Sequence, residues 1–205
     1  SALIKSVMPA HNRALRRTAA AGVMTIGDDG RPAFVRAADV DPADVPGAFG
    51  PYSSKRAMRA KLQSLAAEHR LCWTRLGLER RDGPCFARQL RKCEGACVGA
   101  EAAEAHAARF LAALAGEAIP AWPWPGPALV REASPDNGRT DVHVVRDWHW
   151  IGTARDEGEL AALVDSPVRP TFDPDVCRLL LRLYAKRRDA FVPVRAAMRE
   201  TDLQY

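Results

Sequence analysis

The stretch Cys72-Trp-Thr-Arg-Leu-Gly-Leu-Glu-Arg-Arg-Asp-Gly-Pro-Cys85-Phe-Ala-Arg-Gln-Leu-Arg-Lys-Cys93-Glu-Gly-Ala-Cys97 decides how this chain reads. Four of the five cysteines fall there, in the pattern C-x12-C-x7-C-x3-C, and only Cys177 stands apart. Four thiolates brought together are the usual equipment of a tetrahedral metal site or an iron–sulfur cluster. Structural zinc sites draw their ligands from two close pairs, whereas here only Cys93 and Cys97 are close. The spacing therefore favours a cluster, with zinc as the alternative. Gly83 and Pro84 before Cys85, and Gly95 before Cys97, let the backbone turn around a compact ligand. No signal sequence opens the chain, so disulfides are not expected, and four unliganded thiols buried as small apolar side chains are the second reading, behind a shared metal site. Cys177 lies on an apolar helical stripe and reads as core.

The same segment carries the charge. From Ser53 to Cys93 there are eleven basic residues against three acidic ones, a local surplus of +8 that exceeds the +5 of all 205 residues. Such a face is either solvated or set against DNA phosphates, which it would grip without sequence preference and with strong salt dependence. The one-signed balance favours DNA, with Lys55, Arg56, Arg59, Arg88, Arg91 and Lys92 as the contact positions. Hydrophobic residues at 47 % and charged residues at 27 % exclude general disorder. No apolar run approaches the roughly 20 residues that cross a bilayer. A cytoplasmic protein with no membrane partner is expected.

Working outward, the helical period places a helix from Ser53 or Ser54 to about His69, with Met58, Leu62 and Leu65 on its buried face. A second helix is expected over 100–115, with Phe110, Leu111 and Leu114 apolar. Residues 22–37 read as a hairpin turning at Gly27-Asp-Asp-Gly30. Trp122-Pro-Trp-Pro-Gly-Pro127 reads as a semi-rigid extended connection. Beyond it, 128–132 and 142–151 are expected as strands separated by Ser134-Pro-Asp-Asn-Gly138, and 157–164 and 174–185 as helices. The last of these would bury Val176, Leu179, Leu180 and Leu183. On a strand through 142–151, Trp148 and Trp150 would share one face, and His143 and His149 the other. Core packing is the first reading for the tryptophans and base stacking the second. Asp39, Asp41 and Asp44 read as loop-capping carboxylates. These elements amount to an α+β protein: a helical cysteine-rich cluster domain plus a small antiparallel sheet with flanking helices.

The run from Cys85 to Gly99 closely resembles the cysteine-rich region of the UvrC nucleotide-excision-repair endonucleases. Phe49-Gly-Pro-Tyr52 and the basic helix after it resemble the stretch preceding those cysteines, and Leu3-Ile-Lys5, Pro9 and Asn12 resemble the end of the family's GIY-YIG nuclease domain. Trp122-Pro-Trp-Pro-Gly126 and Asp147-Trp-His-Trp-Ile-Gly152 resemble the C-terminal part of its shorter, Cho-type members, and of proteins that join this region to a DnaQ-type exonuclease. The resemblance implies a [4Fe-4S] cluster on Cys72, Cys85, Cys93 and Cys97. It also implies three parts: 1–52 as a remnant of the nuclease domain, 53–120 as the metal-cluster region, and 121–205 as a C-terminal α+β domain. The parent family hydrolyses a phosphodiester with a tyrosine and a glutamate-held divalent metal such as magnesium. Here Tyr52, Tyr184 and Tyr205 lack a GIY or YIG context, and that glutamate would fall just before Ser1. The expectation is a DNA-contacting C-terminal portion, inactive as a nuclease by itself. The alternative is an interaction module that docks a UvrB-like repair protein and carries a structural zinc.

Overall fold

The computed structural model describes residues 20–40, 44–133, 140–166 and 171–194. The helix end expected near Leu3, the residues Pro9, Asn12 and Asp41, and the turn 134–138 lie outside them. The fold is α+β, and its described residues fall into two compact units, one taking in the residues up to Asp39 together with Gly47–Ile119, the other Val40, Asp44, Val45 and Pro46 together with the residues from Pro120 onward.

In the first unit, β1 (Gly22–Ile26) and β2 (Pro32–Arg36) form the expected hairpin. Its turn closes through the Gly27 amide on the Arg31 carbonyl and the Gly30 amide on the Gly27 carbonyl. β3 (Phe49–Tyr52) pairs antiparallel with the other edge of β1, giving the order β2-β1-β3. The boundary expected after residue 52 thus falls at the end of a strand of this sheet. Helix α1 (Lys55–Glu68) starts where the Ser54 hydroxyl accepts the Ala57 amide, satisfying one of the free donors of the first turn. Its Met58, Leu62 and Leu65 recur at i, i+4 and i+7 and are all buried, as the sequence period requires. They pack with Met24 of the sheet and with Phe110 and Leu114 of α3 (Ala103–Leu114) in one apolar core. Leu111, expected on that apolar face, is 50 % exposed: the buried stripe of α3 is His106, Phe110 and Leu114 at four-residue intervals, and Leu111 falls outside it. The Tyr52 hydroxyl reaches Glu117, which also receives Lys61 of α1 at 2.8 Å, so one carboxylate ties the sheet to the helix.

The second unit is a four-stranded antiparallel sheet in the order β6-β5-β4-β7, from β4 (Ala128–Ala133), β5 (Thr140–Arg146), β6 (His149–Ala154) and β7 (Phe191–Pro193). Helix α4 (Glu157–Val164) is capped by Asp156, and α5 (Pro174–Lys186) by Asp173 with Pro174 in its first turn. The buried residues of α5 include Cys177 and Leu180, while Leu179 is 65 % exposed and so leaves the stripe expected for it. Burial pushes the Cys177 thiol up to about 12, consistent with an inert core cysteine.

The run 142–151 is two strands rather than one. Arg146 pairs with His149 across a two-residue turn, Asp147-Trp148, with φ of 52° and 63°. Trp148 therefore lies in the turn and shares no strand face with Trp150. It is fully buried, and its indole donates to the Pro120 carbonyl at 2.7 Å, whereas Trp150 is 37 % exposed. Trp122 and Trp124 join Trp148, Tyr184 and Phe191 in a nest of edge-on and stacked rings, so the Trp-Pro stretch packs against the sheet instead of spanning open space. Among the described residues, no helix is long and apolar enough to cross a membrane.

Candidate metal centre

Cys72 follows the end of α1, Cys85 immediately precedes the short helix α2 (Phe86–Gln89), and Cys93 and Cys97 flank the turn after it. This topology brings residues up to 25 positions apart to one point, where all four Sγ atoms lie within 4.8 Å of one another. Cys72, Cys85 and Cys93 are wholly buried, Cys97 is partly so, and none forms a disulfide. Ala87, Ala96 and Trp73 wrap them. No other group of three or more His, Cys, Asp or Glu residues among those described is placed to hold a metal ion.

The donor set suits a soft metal. A tetrahedron of sulfurs at the usual metal–thiolate length of about 2.3 Å has edges of about 3.8 Å, inside the observed spread. An iron–sulfur cubane places each thiolate on a separate iron and needs a wider quartet. Two backbone amides already point at sulfur: Cys85 N on Cys97 Sγ at 3.4 Å and Gly95 N on Cys93 Sγ at 3.3 Å. Amides so placed stabilise thiolate over thiol and tune bound iron. Burial pushes the Cys72 thiol up to about 12, helped by its Cys93 and Cys85 neighbours. Burial also works to raise Cys85, but the amides of Arg88 and Trp73 and the adjoining thiols outweigh it and bring that thiol down. Four thiols this close in a dry pocket resist ionising together, so a metal ion binding there would have to displace protons.

The surrounding chain fixes the ligand backbone. His106 is buried on α3, and its Nε2 accepts the Cys72 amide at 3.0 Å; burial holds this imidazole below its usual pKa, in the neutral form that accepts. Arg88 donates from Nη1 to the Cys93 carbonyl at 3.1 Å. Gly95 has φ +98°, and a Cβ there would come within 2.8 Å of the Ala100 Cβ and 3.2 Å of the Arg88 guanidinium, so only glycine fits at this position of the turn between Cys93 and Cys97.

Both helices leading into the centre end alike. After α1, the Leu71 amide reaches back five residues to the Ala66 carbonyl, leaving Arg70 left-handed at φ 54°. After α2, the Lys92 amide reaches the Ala87 carbonyl, leaving Arg91 at φ 58°. Glycine is the usual occupant of this position, and an L-residue there costs on the order of 1 kcal/mol. Arg70 uses its place to pair with Glu94 inside the ligand loop. Arg109 of α3 adds a staple, bonding the His69 carbonyl at 2.6 Å and Glu101 at 2.7 Å.

The six basic positions singled out from the sequence divide into two groups. Arg59 spends its guanidinium on the Gly77 and Leu78 carbonyls, and Arg88 on the ligand loop. Lys55, Arg56, Arg91 and Lys92 are exposed and form no ion pair among the described residues. His106, Arg70, Glu94 and Arg109 escaped the sequence reading. Only His106 left a trace there, as the polar member of a buried stripe.

Fold and site define a class: an α+β chain with a largely buried four-cysteine centre set in an arginine-rich loop. Residues 24–116 match the UvrC/Cho excinuclease middle domain and residues 127–198 match the excinuclease Cho C-terminal domain. The chain belongs to the UvrC/Cho excinuclease family. It is 34 % identical over 182 residues to the excinuclease Cho proteins of Shigella flexneri and Escherichia coli strain K12, and 35 % identical to that of Salmonella typhi. Each alignment covers 88 % of this chain and 60 % of the relative, so the chain spans about three fifths of those proteins' length. No solved structure matches it.

Proposed function

We propose that this chain serves DNA repair as the DNA-gripping, metal-bearing portion of a Cho-type excision endonuclease. The observation that carries this reading is the sulfur quartet in a family chain whose surplus charge is concentrated in the same segment. Cys72, Cys85, Cys93 and Cys97 hold a [4Fe-4S] cluster, whose work is structural: it pins the loop between α1 and α3 so that the free cations face phosphates. The wide spacing of the ligands along the chain supports iron. The 4.8 Å quartet supports the second reading, a single zinc.

In this reading Lys55, Arg56, Arg91 and Lys92 make the phosphate contacts, while Arg59 and Arg88 act on the fold. Reversing all four free cations to glutamate is expected to abolish binding to a DNA duplex and leave metal content unchanged. Neutralising one of them should lower the salt dependence of binding by about one counterion. A quadruple variant that binds duplex like the parent chain contradicts the proposal, and would point instead to docking of a UvrB-like protein.

A further inference from the structure

Helix α2 carries an outward face that neither the core nor the metal centre explains. Ala87 turns inward against the sulfurs and is buried, while Phe86 and Leu90, one helical turn apart on the same side, are each 49 % exposed. Phe86 leans on Trp73, ring centroids 6.2 Å apart, which limits its freedom. From Phe86 to Lys92 the only charges are Arg88, Arg91 and Lys92, all positive. Arg91 then occupies the left-handed position that glycine would fill without strain, and among the described residues its side chain has no acidic partner. A cation kept at a strained position with no acidic partner among the described residues is fitted to a partner's charge.

We infer that Phe86 and Leu90 form an apolar wedge, flanked by Arg91 and Lys92, that sets itself against unstacked bases while the cations hold the adjoining phosphates. This rests on the DNA-binding reading above and sharpens its target to DNA with locally unpaired bases. Apolar side chains that enter between base steps, and aromatic rings that stack on exposed bases, need such DNA or must unstack a regular duplex to obtain it. Glu79 accepts the Phe86 amide at 2.8 Å at the start of this face, and the exposed cations at its other end, Arg91 and Lys92, are complementary to phosphates.

The test compares binding of the whole metal-loaded chain to a matched duplex and to the same duplex with a short unpaired loop. The parent is expected to prefer the looped DNA by about tenfold, in line with the worth of one or two stacked bases. Phe86→Ala with Leu90→Ala should reduce that preference to near unity, with matched-duplex affinity and salt dependence unchanged. Arg91→Gly should weaken binding to both DNAs severalfold and leave the melting temperature equal to or above the parent's, since glycine suits the backbone better. Two outcomes overturn the inference: a parent with no preference, or a double variant that retains it, as it would if the face docks a protein. Either leaves duplex binding standing. Loss of salt-dependent duplex binding by the parent would instead strike the proposed function itself.

Discussion

His106 and Arg88 hold the backbone on two sides of the sulfurs, one accepting from Cys72 and the other donating to Cys93. Because Nε2 is the acceptor, the ring proton resides on Nδ1. His106→Leu strands a buried amide at the first ligand, which costs about 1–3 kcal/mol. The variant is expected to unfold at lower denaturant and to release its metal faster to a chelator. His106→Gln, which restores an acceptor oxygen, should recover part of both; equal behaviour of the leucine variant and the parent contradicts this role. The four-residue spacing of His106, Phe110 and Leu114 makes its burial legible in the sequence. Its target is not, because Cys72 lies 34 residues away and only the fold joins them. The free cations at Arg91 and Lys92 were legible as charge. Nothing in composition separates them from Arg88 and Arg59, whose guanidinium groups end on carbonyls.

Elements followed local signals where those were strong and departed from them where packing overruled. The caps Ser54 and Asp173 and the apolar period of α1 place their helices to within a few residues. β3 and β7 went unread because each is very short, contains a proline and gains its strand character from pairing with a distant strand. The turn at Asp147-Trp148 is the clearest conflict. Tight hairpins with two positive φ angles favour Asn-Gly or Asp-Gly, so a tryptophan there conceals the turn. Trp148 stays because its ring contacts Trp122 and Tyr184 in the aromatic nest. Trp148→Gly relieves about 1–2 kcal/mol of backbone strain but forfeits a buried ring worth about 3–5 kcal/mol. Net destabilisation of roughly 2–3 kcal/mol in urea unfolding is expected. A variant as stable as the parent would show that the turn, rather than the nest, governs this hairpin.

At the scale of the molecule, charge, sulfur and chain reversal coincide in one segment of the first unit, and the second unit has its own core of aromatic rings and strands. The four cysteines were legible as a shared site from their density, and their convergence follows from the way α1, α2 and the loop after it fold back on one another. Which metal they would hold is a question that chemical analysis decides. It is answered by iron and zinc analysis of the anaerobically purified chain together with its visible absorption spectrum. A chain with about four irons, no zinc and a broad visible band that bleaches on reduction is the predicted result. One zinc and no colour would replace the cluster with a single ion on the same four sulfurs. A folded chain with neither metal, and with all four thiols open to alkylation, would contradict the centre itself.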